Sequence, residues 1–153
     1  MKALVIDDER LARTELIRLL EPFKEIEIVG EAVNADDAHN KISELNPDVI
    51  FLDIQMPGKT GFELLEELDS VPKVIFTTAY DEYALKAFEF NALDYLLKPI
   101  EPARLEESIK KLIEGKRKER TQDLPYETLT AEDQVFVKDG DKCWFVKLEK
   151  VRL

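Results

Sequence analysis

The sequence predicts an α/β protein built on a doubly wound parallel sheet of five strands and five helices. Short apolar runs alternate with longer segments of helical spacing, and three of the runs contain no charged residue. A chain of 153 residues, 44% of them hydrophobic, is long enough for one packed domain and a fragment of a second. The apolar runs, taken as strands in chain order, are Ala3–Ile6, Ile26–Val29, Val49–Leu52, Val74–Phe76 and Leu93–Leu97.

Between these runs, apolar residues recur every three or four positions, as they do on one face of a helix. Strands that alternate with helices form a parallel sheet with helices on both faces, because each right-handed crossover returns the chain to the same sheet edge. The five helical faces, in chain order, are Leu16, Leu19 and Leu20; Ala38, Ile42 and Leu45; Leu64, Leu65 and Leu68; Ala84, Ala87 and Phe88; and Leu105, Ile109, Leu112 and Ile113.

The apolar runs differ in a way that orders the sheet. Ala3–Ile6, Val49–Leu52 and Val74–Phe76 carry no charge, as expected of central strands that are buried on both faces. Ile26-Glu27-Ile28 alternates between apolar and polar residues, which is typical of an edge strand. This pattern favours the strand order 2-1-3-4-5 of flavodoxin-like sheets, in which the first and third strands are neighbours at a switch point.

The composition changes after the fifth predicted helix. The basic run Lys116–Arg120 and the polar stretch up to Pro125 predict a helix tail and a linker, and Asp139-Gly140 between two β-rich runs predicts a β-hairpin. We expect one domain at residues 1–118 and a linker at 119–128. Residues 129–153 are then the start of a second, β-rich domain, or else a hairpin that packs on the first domain.

Charge and cysteine content exclude several classes of function. Acidic residues outnumber basic ones by 33 to 22, a net charge of −11, and such a surface repels the phosphate backbone of nucleic acids. The single cysteine, Cys143, excludes an internal disulfide and indicates a reducing compartment. No apolar stretch approaches the roughly 20 residues of a membrane span. We therefore expect a cytoplasmic protein without a membrane partner.

Polar side chains follow the predicted strands at their carboxyl ends, where ligands bind in open parallel sheets. Asp7-Asp8 follows the first strand, Asp53 the third, Thr77-Thr78 the fourth and Lys98 the fifth. Neighbouring carboxylates raise each other's pKa, so a cluster of them needs a cation to stay ionised. All the candidate ligands are oxygens, with no His or Cys beside them, which favours Mg²⁺ or Mn²⁺ over zinc.

A phosphate complements this set of groups, because Mg²⁺ binds phosphate oxygens, Lys98 supplies positive charge and a threonine hydroxyl supplies a hydrogen bond. A carboxylate can attack phosphorus to form an aspartyl-phosphate. Asp53 is the candidate nucleophile, since it stands alone at the end of a central strand, before the turn Ile54–Gly58. Thr77 and Thr78 point to opposite faces of the strand, so only one of them reaches the site.

A set of short motifs lies in a fixed order at the predicted strand ends: Asp7-Asp8, Asp53 with Met56-Pro57 and Gly61, Thr78-Ala79, Tyr95 and Lys98-Pro99. Together, over residues 1 to about 118, they resemble the CheY-like receiver domain of two-component response regulators. The stretches 76–88 and 92–99 resemble receivers that precede a LytTR-type (LytR/AlgR-type) DNA-binding domain, and residues 135–146 resemble the opening hairpin of that domain. Its remainder is missing, so DNA binding and transcription regulation are expected only of a longer parent protein.

The resemblance implies which residues carry the chemistry. Asp53 would be the phosphoacceptor. Asp7, Asp8, Asp53 and the backbone carbonyl of Gln55 would hold Mg²⁺, the expected cofactor.

The resemblance also implies how the site responds to phosphorylation. Thr78, rather than Thr77, and Lys98 would engage the phosphoryl oxygens, since Ala79 follows Thr78 as in the family. Tyr95 would be the aromatic switch that turns inward when Thr78 is drawn towards the phosphate. The peptide bond between Lys98 and Pro99 is expected to be cis, as is usual in the family and affordable before proline.

The expected function is that of a signalling switch rather than an enzyme, apart from self-catalysed phosphorylation from small donors and autodephosphorylation. A sensor histidine kinase would phosphorylate Asp53, and the face formed by the fourth helix, fifth strand and fifth helix would repack. That face dimerises in related regulators, so we expect a homodimer through it. The sequence offers Ala84, Phe88 and Leu105 for the contact.

Several other interpretations remain open at this point. Asp7 or Asp8 can simply cap the first helix, and Tyr95 can be an ordinary strand aromatic. The chain can be a Mg²⁺-dependent phosphohydrolase with Asp53 as its nucleophile, although haloacid-dehalogenase-like enzymes carry a second acid where this chain has Gln55. It can also be a binding module that is never phosphorylated.

Overall fold

The computed structural model describes residues 1–122 as an alternation of strands and helices. The predicted hairpin, Cys143 and the fragment expected at 129–153 lie outside the described residues. The elements are β1 (Lys2–Ile6), α1 (Arg10–Leu20), β2 (Glu27–Ala32), α2 (Ala35–Leu45), β3 (Val49–Asp53), α3 (Gly61–Glu67), β4 (Lys73–Thr78), a single 3₁₀ turn (Asp81–Tyr83), α4 (Ala84–Glu89), β5 (Asp94–Leu97) and α5 (Pro102–Gln122).

The five strands form one parallel sheet in the order β2-β1-β3-β4-β5, which confirms the predicted α/β fold and strand order. β3 is buried along its whole length, including Asp53 at its end, and its first four residues are the uncharged run expected of a central strand. β2 lies at the edge, as predicted, but it runs to Ala32 and not to Val29. The pairing of β2 with β1 shifts its register between Ala3 and Leu4, so that β2 contains one residue more than β1.

The main core cluster packs alternate residues of the central strands against α2, α3 and α4. Leu4, Ile50 and Phe76 represent the strand side of this cluster. Residues on the opposite pleat face, together with the buried side chains Leu16 of α1 and Ile109 of α5, form the second layer. Met1–Leu112 form one compact unit that carries the sheet, and the described part of Ile113–Leu153 is the C-terminal stretch of α5.

The fourth and fifth helices correct two expectations. In α4 only Ala87 of the predicted apolar face is buried, whereas Ala84 and Phe88 are exposed. The helix has only six residues, so helical spacing identifies its buried side poorly. In α5, Leu105 is fully buried, so it cannot contribute to a dimer contact as expected.

Helix capping settles the alternative role of the first acidic pair. The residue that precedes α1 is Glu9, and no side chain caps this helix. The interpretation of Asp7 or Asp8 as a helix cap is therefore wrong. By contrast, Thr60 and Glu63 form a reciprocal capping box at the start of α3, which fixes the loop that follows β3. Within residues 1–122, no helix is both long and apolar enough to cross a bilayer.

A buried carboxylate, Asp94, ties the start of β5 to α5. Arg104 donates to both of its oxygens at 2.8 and 2.7 Å, and Ser108 and the backbone N–H of Tyr95 also donate to it. Lys111 lies 3.4 Å from the same group. Burial alone would raise the pKa of Asp94, but these hydrogen bonds outweigh it and hold the pKa well below its usual range.

We predict that Asp94→Asn lowers the free energy of unfolding by about 2–3 kcal/mol at pH 7, since it removes the buried charge to which Arg104 donates two hydrogen bonds. The folded pKa lies below the unfolded value, so the difference is fully present above about pH 4 and shrinks as pH falls further. Urea titrations at several pH values measure it. Asp36→Asn, which breaks an exposed ion pair with Lys59, is the matched control. An equal effect from both variants would contradict the prediction.

Candidate functional site

The sheet gathers the predicted polar residues at the carboxyl ends of its strands. Asp7 and Asp8 follow β1, Asp53 ends β3, Thr78 ends β4 and Lys98 follows β5. One carboxylate oxygen from each of the three aspartates lies within 4.8 Å of the other two. Side chains separated by up to 91 positions in the chain therefore meet at one edge of the sheet.

Lys98 neutralises part of this acidic cluster. Its Nζ donates to Asp7 Oδ2 at 2.7 Å and lies 3.5 Å from Asp53 Oδ1. Burial alone would lower the pKa of Lys98. The hydrogen bond to Asp7 and the charges of both carboxylates outweigh burial and raise the pKa above its ordinary value. Lys98 is thus a firmly charged ammonium that faces two carboxylates.

Asp53 is a buried carboxylate whose surroundings disfavour its charged form. Only 4% of this residue is exposed. Burial, reinforced by the charges of Asp7 and Asp8 and opposed by that of Lys98, raises the pKa of Asp53 to about 7. Near neutral pH the group is therefore present in both its protonated and its ionised form, and a cation that binds the cluster favours the ionised form.

The chemistry of the donors fits a hard divalent cation. Three carboxylates converge, one of them (Asp8) exposed to solvent, and the described residues bring no sulfur or imidazole ligand into this group. Asp8 and Asp53 of this group line a cavity of about 190 Å³ at the surface. Its lining residues are Asp8, Glu9, Asp53, Gln55, Thr78, Ala79, Tyr80 and Lys98.

Thr78, and not Thr77, lines this cavity, in agreement with the choice made from the sequence. The Thr78 hydroxyl accepts a hydrogen bond from the backbone N–H of Tyr80 at 3.1 Å, and the Tyr95 hydroxyl donates to the Tyr80 carbonyl. The Tyr95 ring is half-buried, and burial raises the pKa of its hydroxyl. The two residues are therefore linked through the backbone of Tyr80.

Gly61 fixes the backbone beneath the site. A Cβ atom at this position would lie 2.6 Å from the carbonyl oxygen of Asp53, a distance too short for a carbon atom beside an oxygen. The Gly61 N–H also donates to the carbonyl of Ile54 at 2.9 Å. This close contact explains why the motif that follows Asp53 contains a glycine at this spacing.

A cis peptide bond and a side-chain hydrogen bond lie beside the acidic cluster. The bond between Lys98 and Pro99 is cis, as expected. The side-chain amide of Gln55 donates to the Tyr83 hydroxyl at 2.7 Å, which links the loop after β3 to the 3₁₀ turn. The sequence did not single out this bond, because nothing in it marks Tyr83. Glu9, which lines the cavity, directly follows the acidic pair at the end of the first predicted strand.

A family model of the response regulator receiver domain matches residues 3–110 of this chain. The chain belongs to this family. The five-stranded order and the acidic cluster at the ends of β1 and β3 agree with the receiver resemblance noted in the sequence.

Known proteins similar to this receiver come from several bacteria. An uncharacterized response regulatory protein of Vibrio parahaemolyticus is 57% identical over 114 residues, which cover 73% of this chain and 47% of the relative. The transcriptional regulatory protein BtsR of Escherichia coli is 48% identical over 82% of this chain and 53% of the relative. The chain spans about half the length of these curated relatives.

A solved structure gives the same picture of the fold. The response regulatory domain of mrkE from Klebsiella pneumoniae superposes with a TM-score of 0.69 and 35% identity. The match covers 75% of this receiver chain and 97% of that domain.

We predict that Asp53→Asn stabilises the cation-free protein above pH 7 by about 2 kcal/mol, less than the full pKa shift implies because solvent screens an open site. The folded pKa lies above the unfolded value, so ionised Asp53 destabilises the fold increasingly between about pH 4 and pH 7. Denaturant titrations from pH 4 to 8, with chelator present, test this. A stability difference that does not grow with pH would contradict the prediction, and added Mg²⁺ should reduce the difference.

Proposed function

We propose that this receiver accepts a phosphoryl group on Asp53 from a sensor histidine kinase and thereby acts as a switch in a two-component system. The observation that carries the proposal is the convergence of Asp53 with Asp7, Asp8 and the Lys98 ammonium around an open cavity. Phosphoryl transfer needs mainly positioning and charge neutralisation, which such a site supplies.

Asp7, Asp8, Asp53 and the backbone carbonyl of Gln55 would hold Mg²⁺, which when bound neutralises the phosphoryl oxygens and favours ionised Asp53. An Asp53 carboxylate oxygen attacks phosphorus and forms a P–O bond. The bond from phosphorus to the donor group breaks at the same time, and its electron pair leaves with the donor. Lys98 lies 3.5 Å from Asp53 and stabilises the charge of the transferred group.

Thr78 and Tyr95 transmit the change. The Thr78 oxygen accepts from the Tyr80 N–H, so the hydroxyl hydrogen is available to donate to a phosphoryl oxygen. When Thr78 moves towards the phosphate, this bond lengthens and the Tyr80 backbone shifts. The Tyr95 hydroxyl, which donates to the Tyr80 carbonyl, then loses its outer partner, and the ring turns inward.

The face that responds is formed by α4, β5 and α5. Leu85 and Phe88 of α4 are 80% and 77% exposed, and Leu97 of the edge strand β5 is 45% exposed. Large apolar side chains exposed together on one face are typical of an interaction surface. We propose that a second copy of this chain covers them after phosphorylation.

Regulation of transcription is proposed for a longer parent protein. The chain spans about half the length of the relatives named as transcriptional regulators, and its net charge of −11 opposes DNA binding by the chain itself. Residues 1–118 would be the receiver, 119–128 the linker and 129–153 the beginning of a LytTR-type output domain. A cytoplasmic location, expected from the single cysteine, stays a prediction.

We predict that acetyl phosphate with Mg²⁺ adds one phosphoryl group to the wild-type protein and none to Asp53→Asn. Intact-mass measurement and peptide mapping locate the adduct, and Asp69→Asn, an exposed acid outside the cavity, should behave as wild type. An adduct on another residue would contradict the assignment of Asp53, and no adduct would favour a pure binding module. Steady turnover of p-nitrophenyl phosphate that Asp53→Asn abolishes would favour the phosphohydrolase alternative.

We also predict that beryllofluoride with Mg²⁺, a mimic of the phosphoryl group, converts the monomer into a dimer. Phe88→Glu should abolish the increase in mass, because it places a charge on the apolar face. Leu11→Glu, equally exposed on α1 and outside this face, is the matched control. Light scattering coupled to size exclusion measures the mass. Dimer formation that survives Phe88→Glu would assign the contact to another surface.

A further inference from the structure

Arg13 of α1 is a buried arginine that the phosphoryl-transfer chemistry does not use. Its side chain is only 10% exposed. One guanidinium nitrogen, Nη1, donates to the backbone carbonyl of Asp7 at 2.8 Å, and Nε donates to Glu31 Oε1 at 2.9 Å. A buried charge is costly unless it is paired and hydrogen-bonded, so these two contacts account for its placement.

Arg13 contacts the acidic pair through the backbone of Asp7 and not through its carboxylate. The Asp7 N–H donates to the carbonyl of Ala32 at 3.0 Å, and the Asp7 carbonyl accepts from Arg13. The side-chain oxygens of Asp7 accept from the Glu9 N–H at 2.9 Å and from Lys98 at 2.7 Å. The backbone and the carboxylate of Asp7 are therefore both held in place.

The carbonyl that Arg13 holds belongs to the planar peptide unit that leads into Asp8. Because this unit is rigid, its orientation sets the direction in which the chain leaves Asp7 and the point from which the Asp8 side chain projects. Asp8 is exposed, so packing does little to direct it. The hydrogen bond from Arg13 therefore bears on the positions of both carboxylates.

We propose that Arg13 is a positioning residue that orients the Asp7–Asp8 peptide unit so that both carboxylates converge with Asp53 before a divalent cation binds. This inference rests on the proposed function, because it concerns the same cation site. Groups that orient metal ligands contribute substantially to metal affinity although they never touch the ion.

An electrostatic role and a positioning role of Arg13 predict opposite changes in cation affinity when its side chain is removed. Arg13 carries a positive charge close to the acidic cluster, so its removal would strengthen cation binding on electrostatic grounds alone. If Arg13 acts by position, its removal weakens binding. The direction of the change therefore separates a positioning role from a general electrostatic one.

Mn²⁺ binding to the full chain, measured by calorimetry, tests the proposal. We expect Arg13→Met to raise the Kd for Mn²⁺ about tenfold, and Arg13→Lys to recover part of the affinity, since a lysine can still donate to the Asp7 carbonyl. Arg18→Met is the matched control on the same helix, because Arg18 is 66% exposed and pairs with Glu15. Glu31→Gln removes the charge partner but keeps an acceptor for Nε, so it should leave the Kd near that of the wild type.

Loss of folding is distinguished from loss of positioning by a urea titration of each variant without cation. Reversible unfolding raises the apparent Kd only in proportion to the unfolded fraction, so a variant that is mostly folded and still binds about tenfold more weakly has a misplaced acidic pair. Saturating Mg²⁺ should restore adduct formation on Asp53 by acetyl phosphate in this variant, because only cation affinity is impaired.

A Kd for Arg13→Met within about twofold of the wild-type value, or lower than it, would overturn the proposal. So would an equal loss of affinity in Arg18→Met. If Arg13→Met weakens Mn²⁺ binding but wild-type protein forms no adduct on Asp53, the positioning role stands and the phosphoacceptor function fails. Wild-type protein that does not bind Mn²⁺ would overturn both.

Discussion

The arrangement of the site depends on two buried carboxylates, Asp7 and Asp53, that share one ammonium group, Lys98. One positive charge does not fully offset two negative ones, and the exposed Asp8 adds a third, so the cluster keeps an excess of negative charge. Burial also removes part of the water that would otherwise stabilise these charges. The site is therefore poised to take up a cation, and burial, reinforced by this excess, raises the pKa of Asp53.

The sheet topology makes this charge cluster possible. β1 and β3 are neighbours because the chain reverses the direction of strand addition after β2, and this brings two acidic strand ends together. β4 and β5 add the hydroxyl of Thr78 and the ammonium of Lys98 on one side of Asp53. A backbone hydrogen bond from the Lys98 N–H to the Thr78 carbonyl, at 2.7 Å, holds the backbones of these two residues together.

The sheet, its strand order and the main site residues could be predicted because each depends on local pattern or on strand ends. Uncharged runs identify central strands, and parallel topology places their carboxyl ends together. The buried side of α4 could not be predicted, since six residues give too little periodicity to separate Ala87 from Phe88. The burial of Arg13 on α1 could not be predicted either, because its partners are the backbone carbonyl of Asp7 and a glutamate on β2. Sequence pattern assigns a charged residue to the surface unless such partners are known.

The tight contact between Gly61 and the Asp53 carbonyl determines where the site can yield. The backbone of Asp53 has little room to move towards Gly61, so a shift in that direction accommodates an added group on Asp53 poorly. The softer contacts, a lysine side chain and a threonine hydroxyl, lie towards β4 and β5. Because the backbone contact with Gly61 is tight and the side-chain contacts lie towards β4 and β5, we expect a change at Asp53 to be relieved mainly by movement of β4 and β5 residues.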